Sequence, residues 1–186
     1  DNSAVLQPAN IFLLGLGSGA GPTVKVGHEM AFGLGSISFQ PQSASTIQSS
    51  DVVSRTLANE LIFASTAFNQ VTFGSADTGD LTFTGNVTVN GDWSVAVENG
   101  TTTLSGSIIG TEPLTKLGPG TLVFNSATPN LLESTTITNG TLDVQQDGGL
   151  GIGNVTVFDS ATLKLELGAA NDYISDTASL LLSSPA

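Results

Sequence analysis

The sequence predicts an all-β protein: a parallel β-helix, or solenoid, of about seven coils, each rising roughly 4.8 Å. Three observations carry this prediction. From about Leu57 onward the chain is a series of short runs in which apolar and polar residues alternate. Asn-Gly or glycine-rich corners separate the runs. The pair Thr-Leu starts at 103, 121, 141 and 162, at intervals of 18, 20 and 21 residues, and TIT at 136–138 returns as VTV at 155–157, an interval of 19. Equivalent residues recur about every 20 positions when coils stack like on like. Asn-Gly between alternating strands is also a strong hairpin signal, so an antiparallel β-sandwich is the alternative. A sandwich, however, gives no reason to space one short motif so regularly.

Residues 1–50 read as an N-terminal extended arm or cap, and 51–186 as the solenoid. The first segment holds three charged residues (Asp1, Lys25, Glu29), many glycines, and the alternating stretches TVKV (23–26) and SISF (36–39). SSDVVSRTLANELIFA (49–64) reads either as a short helix capped by Ser50 or Asp51, or as strands. Beyond it come LIF, VTF, LTF, VTV, WSVAV, TTTL, TLVF, TTIT, TLDV, VTV and TLKLEL. Period-two alternation places Leu81, Phe83, Val87, Val89, Trp93, Val95, Val97, Leu122, Phe124, Leu142, Val144, Leu163 and Leu165 on an inner face. The corners fall at Asn90-Gly91, Asn99-Gly100, Gly118-Pro119-Gly120 and Asn139-Gly140.

Composition removes several function classes. Sixteen acidic residues against four basic ones give a net charge of −12, which repels nucleic-acid phosphates and leaves no basic stripe. With no cysteine there are no disulfides, thiolate nucleophiles or cysteine-held metals, a usage that fits an extracellular protein. No segment reaches the roughly 18–20 apolar residues that span a membrane. IFLLGLG at 11–17 is too short, and lacks the upstream basic residue, for a signal peptide. Asp1 reads as the start of a processed chain or of a fragment.

LTKLGPGTLVFNSATPNLLESTTITNGTLDV (114–144) resembles the passenger-associated repeat of bacterial autotransporter proteins. The residues that carry the likeness are Lys116, Gly118, Gly120, Thr121 and Leu122 at the opening, and Asn139, Gly140, Thr141 and Leu142 at the close. It holds over about 114–165 and is looser over 57–113 and 166–186. The family's loop commonly carries a tyrosine and a glycine pair; Asn130-Leu131-Leu132-Glu133 stands there instead, a loop read as turned to contact. The resemblance implies a right-handed parallel β-helix on the outside of a Gram-negative-type cell. It implies no activity, because such repeats are scaffolding beneath many functions.

No motif in the sequence assembles a reaction centre. GLGSGA (15–20) fits a permissive dinucleotide pattern, but Gly21-Pro22 and the alternating TVKV replace the helix that would hold a pyrophosphate. GGLGIGNVT (148–156) resembles one calcium-binding nonapeptide, yet Gly153 takes the ligand aspartate's place and the motif occurs once. Asp77, Asp80, Asp172 and Asp176 read as solvated loop acids. His28, the only histidine, has no serine elbow to serve. Asp159 and Glu166 are spaced like outward residues, and the four scattered cations form no cleft for an acidic polysaccharide. Asn86, Asn99, Asn139 and Asn154 begin N-x-Thr sequons and read as corner residues. Neither a cofactor nor a catalytic residue is expected, and the reading is non-enzymatic.

A solenoid leaves two ends, each a row of unpaired backbone over an apolar interior. Leu180, Leu181 and Leu182 lie in an apolar strand near the C-terminus with no late charge beyond Asp176. The expected role is an extracellular structural subunit that associates with itself, end to end, into a surface fibre. A scaffold segment of an autotransporter-type passenger or adhesin is the second expectation, and a carbohydrate-binding or carbohydrate-active β-helix the third. The expected partners are further copies of the chain, and surface polysaccharide under the third reading. Trp93 and Tyr173 are the only Trp and Tyr available to stack on a sugar, and Trp93 alternates with inward valines.

Overall fold

The computed structural model describes residues 10–13, 20–40, 44–64, 69–146, 149–166 and 174–184. Each coil takes about 20 to 26 residues and lays down up to three strands, one on each of three parallel sheets. The first coil contributes β1 (Ile11–Leu13) and β2 (Ala20–Val26), then a run of turns to Gly35. The second adds β3 (Ile37–Phe39), β4 (Ala44–Ser49) and β5 (Arg55–Leu57), and the third β6 (Leu61–Phe63), β7 (Asn69–Phe73) and β8 (Leu81–Phe83). The fourth holds β9 (Val87–Val89), β10 (Trp93–Val97) and β11 (Thr101–Leu104), and the fifth β12 (Ile108–Ile109), β13 (Leu114–Leu117) and β14 (Thr121–Phe124). The sixth and seventh give two strands each: β15 (Ser134–Ile137) with β16 (Gly140–Val144), then β17 (Asn154–Phe158) with β18 (Ala161–Leu165). A last strand, β19 (Leu180–Ser183), starts another coil.

Every pairing is parallel and joins one coil to the next. The three sheets run β1-β3-β6-β9-β12, β2-β4-β7-β10-β13-β15-β17-β19 and β5-β8-β11-β14-β16-β18. The protein is therefore a parallel β-solenoid of about seven turns, and the antiparallel sandwich is excluded. Parallel strands need a long connection, and here that connection is the rest of the coil.

The inner face is a set of columns. Leu57, Phe83, Leu104, Phe124, Val144 and Leu165 stand one above another, as do Leu81, Thr102, Leu122, Leu142 and Leu163. On the first sheet Leu13, Phe39, Phe63 and Val89 form a third column. Phe39 and Phe63 lie 4.9 Å apart within it, and Trp93 of the second sheet meets Phe63 edge-on at 5.0 Å. Leu122, Phe124, Leu142 and Val144 are fully buried, as alternation predicts. Leu163 and Leu165 point inward too, but Leu163 is half-buried and Leu165 is 39% exposed. Among the described strands of that sheet β18 is the last, so no further strand covers them.

Three expectations need correction. Within residues 1–50 the described strands β1 to β4 pair inside the same sheets as the rest, forming coils rather than an extended arm. Their coils are longer, with Ile11 above Ile37 and Ile37 above Leu61, so the 20-residue period fails there although the stacking continues. Thr103-Leu104 is not the equivalent of Thr121-Leu122. Thr121 pairs with Thr101, then Thr141 and Thr162, so the interval of 18 is a two-residue slip in register. Likewise Thr136 pairs with Thr156, making the interval 20 rather than 19. The helix considered over 49–64 resolves into a bend followed by β5 and β6.

Candidate functional site

The chemical candidates stay apart. His28 is exposed, and its Nδ1 accepts a hydrogen bond from the Met30 amide at 3.1 Å, a local turn. Asp80 Oδ1 accepts from the Thr101 amide at 2.7 Å, tying one corner to the next coil. Asp77 lies exposed in the turn before β8, and Asp176 exposed in the turn before β19. Asp159 accepts from the Ser184 hydroxyl at 3.1 Å. Glu166 pairs with Lys164, whose amine also bonds the buried Asp143 at 3.1 Å. The hydrogen bonds to Glu166 and then Asp143 hold that amine above its ordinary pKa. Among the described residues no three His, Cys, Asp or Glu side chains converge as metal ligands. GLGSGA, but for Ala20, lies outside the described residues, as do Asp172 and Tyr173. GGLGIGNVT, apart from Gly148, forms the turn at Gly149–Gly153 and the start of β17. Trp93 is 1% exposed and cannot stack on a sugar.

The corners are where polar chemistry collects. Asn90-Gly91, Asn99-Gly100, Gly118-Pro119-Gly120 and Asn139-Gly140 all fall at turns between successive sheets, with Gly140 opening β16. Asparagine side chains bond the backbone of a neighbouring coil: Asn59 Nδ2 to the Gly35 carbonyl at 2.6 Å, and Asn99 Nδ2 to Gly79 at 3.1 Å. Asn130 Nδ2 reaches the Gly149 carbonyl at 2.7 Å, while Asn86 and Asn154 accept from the Ser107 and Ser179 amides. Asn139 instead bonds the next amide, that of Gly140. The loop at Asn130–Glu133 is anchored more than it is free. Asn130 and Leu132 are buried, and of the two leucines only Leu131 is exposed.

Sequence reasoning missed Lys116 as an interior residue. On β13 Leu114 and Lys116 share a face, and Lys116 stands between Val95 and Ile137 in the inner column. Its side chain is fully buried. Burial pushes its pKa down to about 8, against the pull of the Glu98 carboxylate. Period-two alternation carried the signal, but a lysine in a strand is ordinarily read as solvent-facing.

The remaining feature is the C-terminal end. Val157, Ala161, Thr162, Leu163, Leu165, Leu180 and Leu182 line an apolar cleft of about 360 Å³. Leu180 and Leu182 stack on Val155 and Val157 and so face inward, yet they are 50% and 74% exposed. Leu181 turns outward over Thr156 and is also exposed. At the other end Phe12, Met30 and Leu34 are exposed on the first coil. Among the described residues the second sheet has β2 as one edge and β19 as the other. No protein-family model, no curated protein and no solved structure matches this chain.

Proposed function

We propose that this chain is a non-enzymatic structural subunit, displayed outside the cell, that stacks end to end into a fibre through the apolar C-terminal end of its solenoid. The observation that carries the reading is the exposed inward row Leu165, Leu180 and Leu182 beside β19, the last strand of the second sheet among the described residues. An edge strand over an exposed core is a template for another parallel strand. In the proposed contact β19 of one copy lies beside β2 of the next, continuing the second sheet. The tail of one copy meets the head of another, so the contact does not close and propagates a filament. The net charge of −12 favours growth along the axis, because lateral packing would bring acidic corners together.

A passenger-type scaffold is the second reading, favoured by the resemblance at 114–165, where the Gly118-Gly120 and Asn139-Gly140 corners stack. There the open end would receive a further coil of a longer rod. Negative-stain images and light scattering of the purified chain at high concentration separate the two. Filaments support the first reading, and a chain that stays a monodisperse monomer across the whole concentration range opposes it.

A further inference from the structure

We propose that the corner carbonyls of Leu117, Gly118 and Asn139 form a monovalent-cation site which the chain fills with its own Lys116 ammonium. Lys116 Nζ donates to Leu117 O at 2.7 Å, to Gly118 O at 2.9 Å and to Asn139 O at 3.1 Å. An ammonium has three N–H donors and no acceptor, so three converging carbonyls saturate it. Leu117 ends β13 and Gly118 opens the corner after it, while Asn139 lies in the corner after β15. One charge therefore ties two successive coils.

The backbone is shaped to present these oxygens. Gly118 and Gly140 have φ of 75° and 66°, in the left-handed region that glycine tolerates. A Cβ on Gly140 would approach the Gly118 carbonyl oxygen to 2.4 Å, so the corners stack without room for a side chain. Inward carbonyls left unpaired in this interior would lose their hydrogen bonds to water, which is what the ammonium replaces. Glu98, on the corner one coil earlier, supplies the nearby negative charge that favours a cation. The ligand class follows: a small monocation that donates hydrogen bonds, such as ammonium or methylammonium.

The test compares Lys116→Ala, which empties the site, with Lys116→Met, whose thioether chain still fills the passage. Thermal unfolding is followed by circular dichroism in sodium, methylammonium and tetramethylammonium chlorides at equal ionic strength. The expected result is a lowered Tm for Lys116→Ala in sodium and tetramethylammonium, with at least about 2–4 °C regained in methylammonium. Lys116→Met and the parent should not respond. If Lys116→Ala is unfolded in sodium chloride, methylammonium-dependent refolding reads the same site. An equal response to both organic cations, no response at all, an equal response in Lys116→Met, or an undiminished Tm for Lys116→Ala overturns the proposal.

Discussion

Leu142→Ala and Leu165→Ala make the same chemical change on the same sheet, and the stacked-coil reading assigns them different costs. Leu142 is fully buried, with Leu122 in the coil before it and Leu163 in the coil after. Truncation there removes the transfer free energy of the lost carbons and leaves a cavity walled by both neighbours. Such substitutions cost about 3–5 kcal/mol. Leu165 has Val144 on one side, while its other side faces the cleft, and it is 39% exposed. Water already reaches it, so its truncation should cost less than about 1.5 kcal/mol. Urea unfolding followed by circular dichroism at low protein concentration measures both. Equal costs, or a larger one at Leu165, would refute the assignment of an interior column ending in an open face. If copies stack, the Leu165→Ala cost should grow with concentration, since the second wall of its site is then supplied.

Further perturbations probe the corners and the core. Lys116→Met should destabilise by about 2–3 kcal/mol in urea titrations near neutral pH, because three carbonyls lose a charged donor. The folded Lys116 releases its proton near pH 8 and the unfolded one near 10.5, so between these values the unfolded chain binds more protons. Stability of the parent should therefore rise with pH in that window relative to Lys116→Met, and a flat difference would remove the burial argument. Gly140→Ala should cost about 1–2 kcal/mol for its left-handed backbone, and more for the close approach to Gly118, read as a fall in Tm. Phe124→Asp should abolish the cooperative transition of the middle coils, since an unpaired charge enters a fully buried site.

The fold was legible where coils are short and corners repeat. From Leu81 to Val144 the inward residues read from alternation are buried, because period two fixes which face each side chain takes. Register was less legible. In TTTL a slip of two residues keeps every side chain on its face, so alternation cannot tell Thr101 from Thr103 as the partner of Thr121. The corner decides it: the Gly120 amide bonds Val97 O and the Thr121 amide bonds Gly100 O. The first three coils carry long turns before β3 and before β8, so no motif repeats there although the strands stack. Lys116 was hidden because its charge outweighed its position, and only the stacked carbonyls explain a lysine facing inward. Asn59 and Asn130 carry no Asn-Gly signature, and their cross-coil bonds appear only once the coils are superposed.

Sedimentation velocity across a wide concentration range, on the parent and on Leu180→Asp/Leu182→Asp, addresses end-to-end growth most directly. The expected result is a parent whose mass and axial ratio climb with concentration, and a double variant that stays monomeric while keeping the parent's circular dichroism. A parent that remains monomeric throughout, or a variant that assembles equally well, would contradict association through the C-terminal end.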